Sequence, residues 1–371
     1  MQRQLLEARL RFVKILKVVV DEWDQDLTDI NELRQERMDI QLLSDAEWLR
    51  FFRFTQGEVH LLVDALDLPE IISDENHIQE DRVTALCMLL RRLAYPCRLV
   101  DMEREFGWEA SRVSSISFRF DPHRLTPHKL AEFTRIFIAK GCPVPSIAAI
   151  IDGTLKKTAR PSRNQRILFN GWKRIHCLKY HLVVSPDGII IHVYSPVEGR
   201  RHDATVLKES GLLDILDKHF WGPNGERYFI YGDPAYQTGA HIMAPYKGAH
   251  LTEDKRAWNA QMSKIQEPVE WMFKEVNSVF KFLNFSENQK VLLSPCGLFY
   301  MVPVLLTNAH TILHLPQTPR YFNCTPPSLN EYFHGDAVDD EDLDAWCMTA
   351  PWTAMDSAED DSDGEGEDEE E

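Results

Sequence analysis

The sequence lacks the features that mark secreted, membrane-spanning and zinc-ribbon proteins. Its 7 cysteines form no CxxC pair, which argues against a zinc ribbon or a disulfide framework and favours reduced thiols inside the cell. No apolar run reaches the length of about 20 residues that crosses a membrane, and the charged N-terminus is unlike a secretory signal. We therefore expect a protein with no membrane association.

Basic residues are missing from one end of the chain. The formal net charge is −17, but residues 336–371 hold 17 acidic residues and no basic one, so residues 1–335 are balanced. Such a tail has few apolar side chains to pack, and we expect it to be disordered. The equal numbers of acidic and basic residues in residues 1–335 exclude both a strongly basic protein of the histone type and an enzyme with an acidic folded part.

The hydrophobic periodicity divides the rest of the chain into three parts. Residues 1–50 are predicted as an N-terminal helical segment and residues 51–141 as a helical domain. This domain contains a short helix, Gly107 and a second helix, which is the outline of a helix-turn-helix, although such outlines are commoner in proteins that never contact DNA. Residues 142–335 alternate strands and helices, which predicts a mixed α/β sheet flanked by helices.

Two aspartates stand at the ends of predicted strands. Asp152 closes the buried run SIAAIID, and Asp233 closes the run RYFIYG. Strands that end at one edge of a sheet bring such residues together, and paired carboxylates there are costly unless a divalent cation neutralises them. The alternative is that each aspartate only caps a turn. Taken together, the two favour a metal site.

A third carboxylate is predicted from the helix between residues 252 and 285. Its apolar stripe begins at Val269 and recurs at spacings of three and four residues. Glu270 falls on the border of this stripe, whereas Glu267 and Glu275 fall farther from it. Glu270 is therefore the candidate that reaches inward, and the alternative is an ordinary surface residue.

The segment between the two aspartates is basic. Residues 153–186 contain eight Lys or Arg residues, no acidic residue, and the interleaved aromatics Phe169, Trp172 and Tyr180. This composition suits a phosphate backbone better than a plain solvated face. The candidates for nucleic-acid contact are Lys156, Lys157, Arg160, Arg163, Lys173, Arg174 and, in the helix-turn-helix outline, Arg112.

The motif GRRHDATVLKESGL supplies two candidates for supporting roles. Asp203 stands where it could cap the helix that follows. His202 could orient a water molecule or a phosphate, or it could be purely structural.

Five motifs in this order resemble the PIF/Harbinger superfamily of DDE transposases, including the Harbinger transposase-derived nuclease. They are IDGT, LKYHLVVSPDG, GRRHDATVLKESGL, YGDPAY and VEWMFKEV. The resemblance extends over about residues 50–333. It implies an RNase H-like fold in which Asp152, Asp233 and Glu270 bind two divalent ions, Mg²⁺ or Mn²⁺, for in-line cleavage of DNA. It also implies a nuclear protein with a Myb-like DNA-binding partner; a homo-oligomer, and a cytoplasmic location without the partner, remain alternatives.

The sequence departs from this family pattern beside Glu270. Gln266 stands where an arginine is usual, and Pro268 where a small polar residue is commoner. A proline inside a helix removes a hydrogen bond, so the start of the helix decides whether Glu270 keeps its place. Three hypotheses follow: a metal-dependent DNA endonuclease or transposase, a catalytically inactive domesticated relative that binds DNA or chromatin proteins, and, less favoured, a hydrolase of RNA–DNA hybrids.

Overall fold

A computed structural model describes residues 39–73, 79–95, 121, 124–161, 165–291 and 296–334. The predicted helix-turn-helix outline with Arg112, most of the predicted N-terminal segment and the acidic tail lie outside these residues.

The N-terminal part is helical, as predicted, with one small hairpin. Its elements are α1 (Asp45–Phe52), α2 (Gln56–Ala65), β1 (Ile71–Ser73), β2 (Gln79–Asp81), α3 (Arg82–Ala94) and α4 (Pro127–Ala139). Each helix begins at a residue whose side chain satisfies free backbone N–H groups: Ser44, Thr55, Asp81 and Thr126. Local sequence therefore fixes the starts of these helices.

The central part is a mixed sheet of six strands within the described residues. The strands are β3 (Ile147–Lys157), β4 (Phe169–Asn170), β5 (Ile175–Val184), β6 (Ile190–Glu198), β7 (Phe229–Tyr231) and β8 (Ile242–Met243). β5 pairs antiparallel with β3 and β6. The two residues of β4 pair antiparallel with the first two residues of β5. β7 runs parallel to β3, and β8 parallel to β7. This topology confirms the predicted α/β class and is RNase H-like.

Helices flank the sheet and follow it. They are α5 (Gln165–Leu168), α6 (Asp203–Glu209), α7 (Leu212–His219), α8 (Glu253–Val279), α9 (Leu298–His314), α10 (Gln317–Phe322) and α11 (Leu329–His334). The sequence predicts one helix over residues 203–220, but there are two, because Gly211 between them has a φ of 65°. The helix predicted to end near residue 285 ends at Val279 and is followed by short 3₁₀ turns, Lys281–Asn284 and Ser286–Asn288.

The buried side chains of the helical part and of the sheet form one continuous hydrophobic core. It runs from Trp48 and Phe52 through β3 to the helices α8 and α9. The cysteines of the described residues are buried and form no disulfide bond with one another. No helix in this part of the chain has the length and apolar character needed to span a membrane. The predicted domain boundaries stay a prediction.

Candidate active site

Asp152 and Asp233 lie at the same edge of the sheet. Ile150 of β3 is in register with Tyr231 of the parallel strand β7, and each aspartate comes two residues later. The strand β3 does not end at Asp152, as the sequence suggested, but continues to Lys157. It can do so because residues 150–157 pair with β5, which runs past the end of β7. The two carboxylates therefore meet where β7 stops.

Glu270 lies on α8, the long helix that packs against β3. Its side chain is exposed and lies 3.9 Å from Lys274, one turn later on the helix. Farther along, Lys156 of β3 donates a hydrogen bond to Asn277 of α8. The negative charge of Glu270 contributes to the raised pKa of Asp152, so the two carboxylates lie near each other.

The helix start that the sequence left open is now fixed. α8 begins at Glu253, so Pro268 lies inside the helix, two residues before Glu270. The Pro268 carbonyl accepts a hydrogen bond of 3.0 Å from the hydroxyl of Thr318 on α10. This tertiary contact ties the helix to its neighbour at the place where proline removes one of its own backbone hydrogen bonds.

Asp203 is a fourth carboxylate near this edge, and it has partners of its own. It opens α6 and lies 3.2 Å from the Lys179 ammonium and 2.9 Å from the His181 ring. Gly153 makes room for it, because a Cβ atom on Gly153 would sit 2.7 Å from Asp203 Oδ1. Neighbouring residues of a strand point to opposite faces, so Asp203 approaches β3 from the face opposite to Asp152.

The pKa values separate Asp203 from the other aspartates. Burial raises the pKa of Asp152 to about 7, with further increases from the negative charges of Asp233, Glu270 and Asp203. Burial likewise raises the pKa of Asp233. Burial acts in the same direction on Asp203, but His181 and Lys179 outweigh it and lower its pKa below the usual value. His181 and Lys179 also lower the pKa of Asp233, but there burial prevails, and no positive charge among the described residues lowers the pKa of Asp152.

Three carboxylates near this edge fit a divalent cation by their chemistry. Asp152, Asp233 and Glu270 offer only oxygen donors, which Mg²⁺ and Mn²⁺ prefer, and a cation would relieve the repulsion that raises the pKa of Asp152. Within the part of the chain that the structure describes, no three His, Cys, Asp or Glu side chains are already grouped to hold a metal ion. The predicted ligand set stays a prediction.

The network around Asp203 contains residues that the sequence analysis did not single out. His181 is buried in β5 directly opposite Gly153, and its ring lies 3.4 Å from the hydroxyl of the buried Tyr236. The Lys179 ammonium also donates a 2.6 Å hydrogen bond to the Arg201 carbonyl. The sequence offered one sign of this network: Lys179 and His181 are two residues apart and therefore lie on the same face of a mostly apolar strand.

The basic candidates divide into exposed and enclosed residues. Those that are exposed are Lys157, Arg160, Lys173 and Arg174. Lys156 is partly buried: its ammonium points to α8 and lies 4.9 Å from the centre of the Tyr300 ring, and burial lowers its pKa to about 7. Its contact with nucleic acid stays a prediction. Arg163 and Arg112 lie outside the described residues. His202 is exposed at the start of α6, and its side chain makes no capping hydrogen bond.

The fold and its acidic sheet edge are those of an RNase H-like domain. Residues 151–308 match the family described as DDE superfamily endonuclease, and this stretch contains Asp152, Asp203, Asp233 and Glu270. The match confirms the resemblance to DDE transposases that the motifs carry. Residues 151–308 are therefore similar to DDE superfamily endonuclease domains.

A curated relative matches more weakly. It is the protein named "Protein ALP1-like" from Arabidopsis thaliana, which is 25% identical over 238 residues. The aligned part covers 58% of this chain and 57% of the relative, so the chain spans little more than half of that protein's length. No solved structure matches the chain.

Proposed function

We propose that this protein is a metal-dependent DNA endonuclease of the transposase type, in the PIF/Harbinger branch. The observation that carries the proposal is the contrast between Asp203, which Lys179 and His181 contact directly, and Asp152 and Asp233, whose pKa values burial raises. Burying carboxylates without positive partners is unfavourable, so such a site is expected to bind cations. The DDE superfamily endonuclease match supports DNA as the substrate.

Each residue has a separate task in this proposal. Asp152, Asp233 and Glu270 would hold Mg²⁺ or Mn²⁺, as the pair of ions that the family resemblance implies. Bound divalent cations supply the positive charge that activates the attacking hydroxyl and stabilises the leaving oxygen. Asp203 holds α6 against β5 through His181 and Lys179 and lies against Gly153 of β3, next to Asp152. The exposed Lys157, Arg160, Lys173 and Arg174 would hold the phosphate backbone.

A plasmid-nicking assay tests the proposal. The purified protein should nick supercoiled DNA with Mg²⁺ or Mn²⁺ but not with EDTA. Asp152→Asn, Asp233→Asn and Glu270→Gln should each reduce nicking at least a hundredfold while DNA binding persists. Glu267→Gln is the matched control, because this exposed glutamate lies one turn earlier on the same helix and should cut like the wild type.

The second candidate is a DNA-binding protein that has lost cleavage. Gln266 and the helix-internal Pro268 favour it, since both lie within one turn of Glu270. Wild-type protein that binds DNA yet never nicks it with either ion would establish this reading. Faster cutting of an RNA–DNA hybrid than of duplex DNA would instead favour a hybrid-specific hydrolase.

Location and partners are further parts of the proposal. A DNA endonuclease of this type is expected in the nucleus, and a Myb-like DNA-binding partner would bring it to its target. Co-precipitation of the tagged protein from nuclear extract, followed by mass spectrometry, tests both expectations.

A further inference from the structure

Trp172 is the most exposed large apolar side chain of the described residues. It stands in the turn between β4 and β5 with 88% of its surface accessible. A tryptophan left in water at this level forgoes a large gain from burial, and exposed aromatic side chains of this kind commonly mark binding sites. Its neighbours Lys173 and Arg174 are also exposed.

The turn that carries Trp172 is fixed by hydrogen bonds. The Asn170 side chain accepts a 2.9 Å hydrogen bond from the Lys173 backbone and donates one of 2.6 Å to the Gly199 carbonyl. The Phe169 ring, which is partly exposed, lies 5.3 Å from the His176 ring across the base of the turn. The indole is thus presented on an ordered support.

The surroundings of Trp172 suit a nucleic acid. Residues 154–186 contain no acidic residue, and the exposed cations Lys157, Arg160 and Arg166 belong to the same segment. Lysine and arginine hold phosphates regardless of sequence, whereas an indole ring gains most from the flat face of a base. In duplex DNA these faces are covered by neighbouring bases, so the ring would find a free face only where a base is unpaired.

The distance between this turn and the acidic edge of the sheet can be estimated along β5. Leu182 of β5 is directly opposite Asp152, and the turn ends just before Ile175. Seven residues of strand span about 23 Å, which corresponds to about seven nucleotides of DNA. Resting on the proposed function, we propose that Trp172 stacks on an unpaired base of the DNA substrate, about seven nucleotides from the bond that is cut.

Equilibrium binding in EDTA tests this inference without cleavage. The full chain is titrated against a labelled duplex and against the same duplex with a short single-stranded gap. Trp172→Ala should weaken binding to the gapped DNA about tenfold or more and change duplex binding less than twofold. Trp172→Phe should keep most of the affinity for the gap, because a phenyl ring still stacks.

Two control variants distinguish the loss of base stacking from the loss of a positive charge and from the loss of an exposed aromatic ring elsewhere. Lys173→Ala should weaken both DNAs equally and lower the salt dependence of binding, since it removes a phosphate contact. Phe285→Ala removes an exposed ring outside the basic segment and should change neither affinity.

Three other results would each rule out a specific part of the proposal. If the wild type binds DNA and Trp172→Ala binds the gapped form equally well, stacking is wrong while the nuclease proposal stands. If Trp172→Ala leaves both affinities intact but changes the mass measured by light scattering, the indole lies in a protein interface instead. If the wild type binds no DNA at all, both the inference and the proposed function fail.

Discussion

Asp203 Oδ1 lies 2.7 Å from the point where a Cβ atom of Gly153 would sit. This close approach lets one carboxylate reach both Lys179 and His181 on the neighbouring strand. The glycine that follows Asp152 lies inside β3, and packing rather than a turn requires it.

Gly153→Ala should destabilise the protein by about 1 to 3 kcal/mol, because the added methyl group collides with a carboxylate that is held by two partners. Chemical unfolding in urea measures the change. Gly57→Ala is the control, since nothing lies within 4 Å of the corresponding methyl position near the start of α2. That variant should be neutral or slightly stabilising; equal losses for both variants would argue against the collision.

Asp203→Asn and Asp152→Asn should differ in their effects on stability and on nicking: the first should mainly lower stability, and the second should mainly abolish nicking. The first leaves Lys179 and His181 without their counter-ion, so we expect a loss of about 1 to 3 kcal/mol in unfolding free energy and a partial loss of nicking. The second removes a repelled charge, so stability in EDTA should hold or increase while nicking disappears. Unfolding curves and plasmid nicking on the same preparations give both readouts. Complete loss of nicking in Asp203→Asn with unchanged stability would make Asp203 a direct participant.

Lys156 should make stability depend on pH. Burial lowers its pKa to about 7, from the ordinary lysine pKa of 10.5 that applies to the unfolded chain. Between these values the folded amine is neutral while the unfolded amine is charged, so the unfolding free energy should rise as the pH increases from 7 towards 10. The rise should be about 1 to 2 kcal/mol, since Asn277 and the Tyr300 ring still favour the ammonium.

Urea unfolding at several pH values checks this expectation by comparing variants. Lys156→Met should lose the rise, and the exposed neighbour Lys157→Met should keep it. A rise of the same size in Lys156→Met would assign the pH dependence to other groups.

The ion pair between Arg124 and Asp187 should be essential for stability. The two groups are 2.7 Å apart, and their side chains are 5% and 0% exposed. Arg124→Met would leave the carboxylate buried without its cation, at an expected cost of about 3 to 5 kcal/mol. Adding Asp187→Asn should recover part of that loss. In the exposed pair of Lys129 with Glu132, Glu132→Gln should change stability by less than about 1 kcal/mol.

The positions of the acidic edge were accessible from sequence because they depend on local patterns. A buried run followed by aspartate placed Asp152 and Asp233 at one edge of the sheet, although β3 continues past Asp152 to Lys157. The choice of Glu270 from three glutamates by helix periodicity stays a prediction. The same periodicity found α2, α3 and α8. The RNase H-like class followed from the order of these elements together with the family resemblance.

The parts that were missed depend on contacts between distant segments. His181 gains its role only when β5 lies beside β3 and brings it to Asp203, 22 residues later. Lys156 was grouped with the DNA-contacting cations because its neighbours are basic, but α8 covers its face of the strand. The length of β3 beyond Asp152 likewise depends on pairing with β5.

The alternation along β3 constrains how this protein can vary. Asp152, Thr154 and Lys156 share one face, and Gly153 and Lys157 share the other. A single residue inserted after Thr154 would turn Lys156 to the exposed face of the strand and Lys157 to the face that α8 covers. Asn277 would then lose its hydrogen bond from Lys156. Natural variants of this segment should therefore change length by two residues or not at all.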